Sequence, residues 1–167
     1  RCAGKTSVTV EATEVDISAA CTVITSWDGL YTNESIGAHV FRELMTEFKF
    51  STERVLTADL FEVPFDAANP MTTPSGLKAR AVDATDDTDP VLIALANAVT
   101  RLAANNLTLD AELGDVQFHT KNDVAISIPG GSSVDGVFNI DSGSLKDGGY
   151  NVTHGASWVM ALEFTDN

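Results

Sequence analysis

Between Ile17 and Trp27 the apolar side chains return at helical spacing: Ile17, Ala20, Cys21, Ile24, Trp27. Asp16 stands where an N-cap belongs and Gly29 where a stop belongs, so the pattern predicts a helix between them. A second stripe follows in Ile36, Val40, Phe41, Leu44 and Phe48, with Ser35 as its cap. His39, Arg42, Glu43 and Glu47 fall mostly off that stripe, as a solvated face would. Ser51 to Leu60 reads as a third, shorter helix. The most sharply bounded is Val91 to Ala104, with Leu92, Leu95, Val99 and Leu102 on one face, Thr88 or Asp89 as cap and Pro90 in the first turn. Ahead of these, Thr6 to Thr13 alternates weakly, as a short strand or an extended arm does. Phe61 to Thr73 holds two prolines, is followed by Pro74 and Gly76, and reads as a surface loop.

At Gly114 the period changes from 3.6 to 2. Val116 to Thr120 and Val124 to Ile128 alternate and are joined by Lys121-Asn122-Asp123, which predicts a hairpin. Pro129-Gly130-Gly131 breaks it. Val134 to Ile140 reads as a further extended piece, Asp141 to Gly149 as a polar, glycine-rich exposed loop, and Ala156 to Phe164 as a strand. The expectation is an α+β chain forming a single segment, mainly helical over 1–110, the first two-thirds, and mainly strand over 111–167, with a small antiparallel sheet. So few strands leave a raw edge, whose pairing partners are expected outside this segment.

Composition narrows the function classes. With 24 acidic against 10 basic residues the net charge is −14, and the acids are spread along the whole length. No basic patch is available to hold a phosphate backbone or an anionic membrane surface, so neither nucleic acid nor membrane is expected as a partner. No run reaches the roughly 20 apolar residues of a membrane span. The chain opens at Arg1, which reads as a fragment or a processed product. Cys2 and Cys21 are the two cysteines. They are either a disulfide, which needs an oxidising compartment, or two unrelated buried thiols. Asn33, Asn106 and Asn151 open glycosylation sequons of the kind that an Asn- and Thr-rich chain produces by chance.

Candidate chemistry is thin. His39 reads as an exposed helix histidine and His119 as a polar strand position. His154 and Ser157 sit three residues apart across a glycine, a poor setting for a Ser–His–acid triad. No Cys-x-x-Cys, His-Glu-x-x-His or other histidine pair at ligand spacing occurs, so neither metal nor cofactor is expected. The acidic run Asp83 to Asp89 lacks the glycine and the distal glutamate of a calcium loop and reads as a helix-capping segment. Gly130-Gly131 has no Lys-Ser/Thr after it and reads as a turn. Trp27-Asp28-Gly29 reads as the end of a helix.

Two groups of blocks nevertheless carry a resemblance. One is Ala20-Cys21-Thr22-Val23-Ile24-Thr25-Ser26-Trp27-Asp28-Gly29 with Ser35-Ile36-Gly37-Ala38-His39-Val40-Phe41. The other is Gly114-Asp115-Val116-Gln117-Phe118, Ile128-Pro129-Gly130-Gly131, Asp135-Gly136-Val137-Phe138-Asn139 and Gly155-Ala156-Ser157-Trp158. In this order they resemble an inner stretch of the large subunit of the penicillin acylase family, on its aculeacin A and acyl-homoserine-lactone acylase branch. The resemblance implies a piece of a larger αββα N-terminal-nucleophile hydrolase, periplasmic or secreted, acting on an acyl amide. It also favours a Cys2–Cys21 bridge. It implies a nucleophilic serine at a processed N-terminus, and here Arg1 holds the first position. Arginine can neither attack nor act as a base at neutral pH; removal of Arg1 would leave an N-terminal thiol at Cys2. No catalytic residue carries over onto this chain, and the partners implied are the remaining acylase polypeptide and a small-molecule acyl amide. The rival expectation is a free-standing, disulfide-bridged extracellular binding module that presents its glycine-rich loops at 130–136 and 141–149.

Overall fold

The computed structural model describes residues 1–49 and 60–156. The chain opens with a tight antiparallel hairpin, β1 (Ser7–Val10) against β2 (Thr13–Asp16), turned through Glu11 and Ala12, both with positive φ. It then enters α1 (Ser18–Ser26). Ile17 occupies the cap position of α1 rather than Asp16, yet the Asp16 carboxylate still accepts the Ser18 N–H at 2.8 Å. α2 spans Ala38–Lys49 and α3 Pro90–Ala104. Asp89 caps α3, accepting Val91 N–H at 2.9 Å, and Pro90 takes the first turn as the sequence predicts.

Ser35 does not cap α2. Its hydroxyl accepts the Thr32 N–H at 3.0 Å, closing the turn before the helix, and Gly37 carries the chain in with φ +106°. Ile36 thereby leaves the predicted stripe, stays exposed, and bridges to Glu112. The predicted helix over Ser51 to Leu60 has all but its last residue outside the described residues. The predicted loop after it contains a small ladder, β3 (Phe61–Val63) paired with β4 (Ser75–Leu77).

The period change at Gly114 comes out as a single helical turn, α4 (Leu113–Val116), followed by β5 (Gln117–Lys121) and β6 (Val124–Ser127). The hairpin between β5 and β6 turns through Asn122 and Asp123, both with positive φ, as a two-residue turn of matching twist requires. Val134 to Ile140 is not a strand: it holds a 3-10 turn at Ser133–Asp135, and Ile140 makes an isolated bridge to Gly131. Nor is Asp141 to Gly149 an exposed loop. Asp141–Lys146 is β7, turning through Asp147-Gly148 into β8 (Gly149–Gly155). The sheet order is β6-β5-β8-β7, and β5 runs parallel to β8, so the sheet is mixed rather than purely antiparallel. The predicted strand over Ala156 to Phe164 lies, past Ala156, outside the described residues.

The helical account of the first two-thirds is thus corrected by two small β ladders, while the α+β class stands. α2 packs along α3, and one core joins the opening hairpin (Val8), α1 and its cap (Ile17, Ala20, Cys21), α2 (Val40, Leu44, Met45), α3 (Leu92, Leu95, Leu102), α4 (Val116) and the sheet (Tyr150). No helix among the described residues is long and apolar enough to cross a membrane.

Candidate functional site

Most of the polar side of α2 is buried. His39, Arg42 and Glu43 are 0%, 4% and 5% exposed, which corrects the expectation of a solvated face at these positions and of an exposed histidine, while Glu47 is exposed as expected. The cause is tertiary. Residues far along the chain supply partners for each of these groups, and a buried polar group is tolerated when it is bonded.

Arg42 lies at the centre. Its Nη1 donates to Gln117 Oε1 and to Asp141 Oδ1, the latter at 3.1 Å, while Nη2 donates to Gly143 O at 3.2 Å. The guanidinium carbon sits 4.5 Å from the centroid of the Tyr150 ring, within cation–π range. Gln117, 0% exposed, donates through Nε2 to Ile128 O, Gly130 O and Asp141 Oδ2. Beside Arg42, Glu43 accepts from Tyr150 Oη at 2.7 Å and from Arg101 Nε at 2.8 Å, and Arg101 also pairs with Glu47. Burial pushes the Asp141 carboxyl above its ordinary range, although Arg42 and Gln117 pull it down. Burial, then the Glu43 charge, pushes the Tyr150 hydroxyl upward. Burial alone would lower Arg101, but its bonds to Glu43 and Glu47 outweigh that and raise it.

An open cleft of ≈ 470 Å³ lies over this network, lined by Arg42, Glu43, Asp141 and Tyr150 and by the hydroxyls of Ser132, Ser142, Ser144 and Thr153. Arg42 and Asp141 are committed to one another and to neighbours. The arrangement pins α2 to the sheet, and no hydroxyl–base–acid relay is formed in it among the described residues.

His39 contributes no chemistry to the cleft. Its Nε2 lies 2.9 Å from Thr108 O, and because a carbonyl only accepts, Nε2 carries the proton. Burial, opposed by that bond, lowers its pKa and keeps the ring neutral. His119 and His154 lie on β5 and β8, both exposed; Ser157 is outside the described residues. A disulfide joins Cys2 to Cys21, so the Cys2 sulfur is no free thiol. Three of the four acids of 83–89 are met by bases or backbone: Asp86 by Lys5 and Arg80, Asp89 by Arg1, and Asp87 by the Thr9 N–H. The segment 141–149, offered as an exposed binding loop, is strand and turn.

The two groups of blocks that carry the resemblance are tied together through residues in and beside them. Leu113 N–H donates to Ser35 O at 2.9 Å, Gly114 N–H to Asn33 O at 2.8 Å, and Gly130 N–H to Tyr31 O at 3.0 Å. A Cβ on Gly131 would stand 2.7 Å from the Tyr31 ring, and one on Gly130 would stand 2.3 Å from Asn139 O. Tyr31 in turn packs edge-on against Trp27, which stacks on Phe41. Trp27 Nε1 donates to Leu30 O, and Asp28 accepts the Leu30 N–H, so this block ends a helix as its sequence suggests. These residues are spaced as the framework requires. The Arg42–Gln117–Asp141 network escaped the sequence pattern. Its one local signal was that Ala38 and Met45 place apolar side chains on the supposedly wet side of α2.

The profile of the penicillin amidase family matches residues 5–167. The chain belongs to the penicillin amidase family. Within it, the chain is similar to aculeacin-A acylase of Actinoplanes utahensis, 34% identical over 152 residues, covering 89% of this chain and 17% of that protein. It is also similar to the acyl-homoserine lactone acylase PvdQ of Pseudomonas syringae pv. tomato, 28% identical over 153 residues, covering 90% and 19%. The protein of that name from Pseudomonas savastanoi pv. phaseolicola is 29% identical over 152 residues, covering 90% and 18%. The chain therefore spans less than a fifth of the length of these penicillin amidase relatives.

Proposed function

We propose that this chain is a scaffold segment from the large subunit of a secreted or periplasmic amidohydrolase. That enzyme removes a fatty or aryl acyl group from an amide: an acyl-homoserine lactone, a lipopeptide or a β-lactam side chain. The nucleophile is an N-terminal serine on polypeptide outside this segment. Its hydroxyl attacks the amide carbonyl while its own α-amine, titrating near neutrality, takes the proton and passes it to the substrate nitrogen, which leaves as the amine when the C–N bond breaks; amide donors hold the oxyanion, and water then hydrolyses the acyl ester to free the acid and the serine. The segment contributes the buttress: α2 locked to the mixed sheet through Arg42, with the family blocks packed on one another. Its partners are the rest of the acylase polypeptide, and the Cys2–Cys21 bridge suits an oxidising compartment.

The observation that carries this is coverage. The family profile matches this chain almost end to end, over residues 5–167, yet the chain spans under a fifth of the length of the relatives named above, and no nucleophile is assembled among the described residues. The test is to assay the isolated chain and a longer polypeptide containing it on long-chain acyl amides. The isolated chain is expected to show no turnover and the longer one to hydrolyse the amide. Turnover by the isolated chain would place the nucleophile within it and defeat the proposal.

A further inference from the structure

Two histidines that lie far apart in the sequence share a second cleft. Beyond the parallel pairs Gln117↔Tyr150 and Phe118↔Asn151, β5 carries His119 and β8 carries His154. Both side chains line a cleft of ≈ 470 Å³, whose other walls include Ile128, Ile140 and Val152. The tautomer of each ring follows from its partner. His119 Nδ1 lies 2.8 Å from Val152 O, which can only accept, so Nδ1 holds the proton and Nε2 keeps its lone pair. Thr153 Oγ1 lies 3.3 Å from Ser142 O and 3.0 Å from His154 Nδ1; with its one proton given to the carbonyl, it accepts from His154 Nδ1–H, and in that arrangement Nε2 of this ring too keeps its lone pair.

We propose that His119 and His154 form a two-imidazole site for a divalent first-row transition ion, Zn²⁺ or Cu²⁺. Neutral imidazole nitrogen suits these ions. A ring whose Nδ1–H is fixed by a carbonyl or hydroxyl is already oriented to ligate through Nε2, and both rings here meet that condition. Asp141 lines the same cleft, but its oxygens are engaged by Arg42 and Gln117. His39 is buried with its Nε2 proton given to Thr108 O. No group of three or more His, Cys, Asp or Glu suited to a metal occurs among the described residues, so the site is open and the ion keeps water in its other positions. The site is independent of the acylase assignment.

The experiment is calorimetric titration of the full chain with Zn²⁺, with Mg²⁺ as the hard-ion control, alongside His119→Gln and His154→Gln. Both side chains are exposed, and circular dichroism melts establish that the variants fold. One Zn²⁺ per chain is expected, with no Mg²⁺ binding. Each substitution should weaken Zn²⁺ by at least about tenfold, the smallest loss typical of removing even an orienting partner. In a second measurement, Cu²⁺ should broaden the side-chain NMR signals of His119 and His154 and leave those of His39 sharp. Failure of the wild-type chain to bind Zn²⁺ overturns the proposal, as does binding that survives either substitution or broadening that reaches His39 alone.

Discussion

Arg42 is a charge held away from water, 4% exposed, and its carboxylate partner Asp141 is 2% exposed. Such a pair adds little over an apolar pair of the same shape, because both ions must be desolvated. Losing one member is different, since the other is then stranded. Arg42→Met should therefore lower the unfolding free energy by roughly 3–5 kcal/mol at neutral pH, read from urea denaturation, because Asp141 is left buried without a cation. His39 carries a pH signature. Its folded-state pKa lies below the ordinary 6.5 because burial disfavours the charged ring. In the window between the lowered value and 6.5 the unfolded chain binds more protons than the folded one, so stability rises with pH. The contribution is complete above 6.5 and disappears as pH falls through the folded-state value. Thermal melts of the wild-type chain from pH 7.5 down to 5 should fall more steeply than those of His39→Gln, in which no imidazole titrates.

Helix α3 was the element most legible in advance, because its signals are local: a capping acid, a proline beside it, and an apolar face at regular spacing. Asp89→Ala should cost about 1–2 kcal/mol in a urea unfolding experiment, for loss of the cap, and should also free Arg1, whose guanidinium lies 3.1 Å from the Asp89 carboxylate. The β5–β6 hairpin was legible for the same reason, with positive-φ residues at its tip. β7 was not. Its strand reads Asp-Ser-Gly-Ser-Leu-Lys, with no β-branched or aromatic residue, and its existence rests on pairing with β8 rather than on propensity. Asp147-Gly148 between them was the available hairpin signal. The polar face of α2 is not legible in the sequence, because periodicity reports where apolar residues lie and is silent about polar residues that find partners 54 to 107 positions away. The family blocks were legible as a pattern, but only the fold shows that their glycines sit where a Cβ would strike Tyr31 or Asn139.

The opening arm is tied to the body twice, by the Cys2–Cys21 disulfide and by ion pairs from Arg1 and Lys5 to the acids ahead of α3. A bridge across a sequence separation of 19 restricts the unfolded chain by roughly 3 kcal/mol. Reduction with a strong thiol should lower the melting temperature accordingly, and a Cys2→Ser, Cys21→Ser variant should melt with the reduced protein. One arrangement also bears on how the chain is made. β5 cannot complete its parallel ladder until β8 has been synthesised, and Arg42 meets Asp141 and the Tyr150 ring only then. During translation the three long helices emerge with that guanidinium still in solvent and the sheet missing a central strand. Non-local closure of this kind is slow, so the nascent segment gains its resistance to proteases with β8 rather than with its helices.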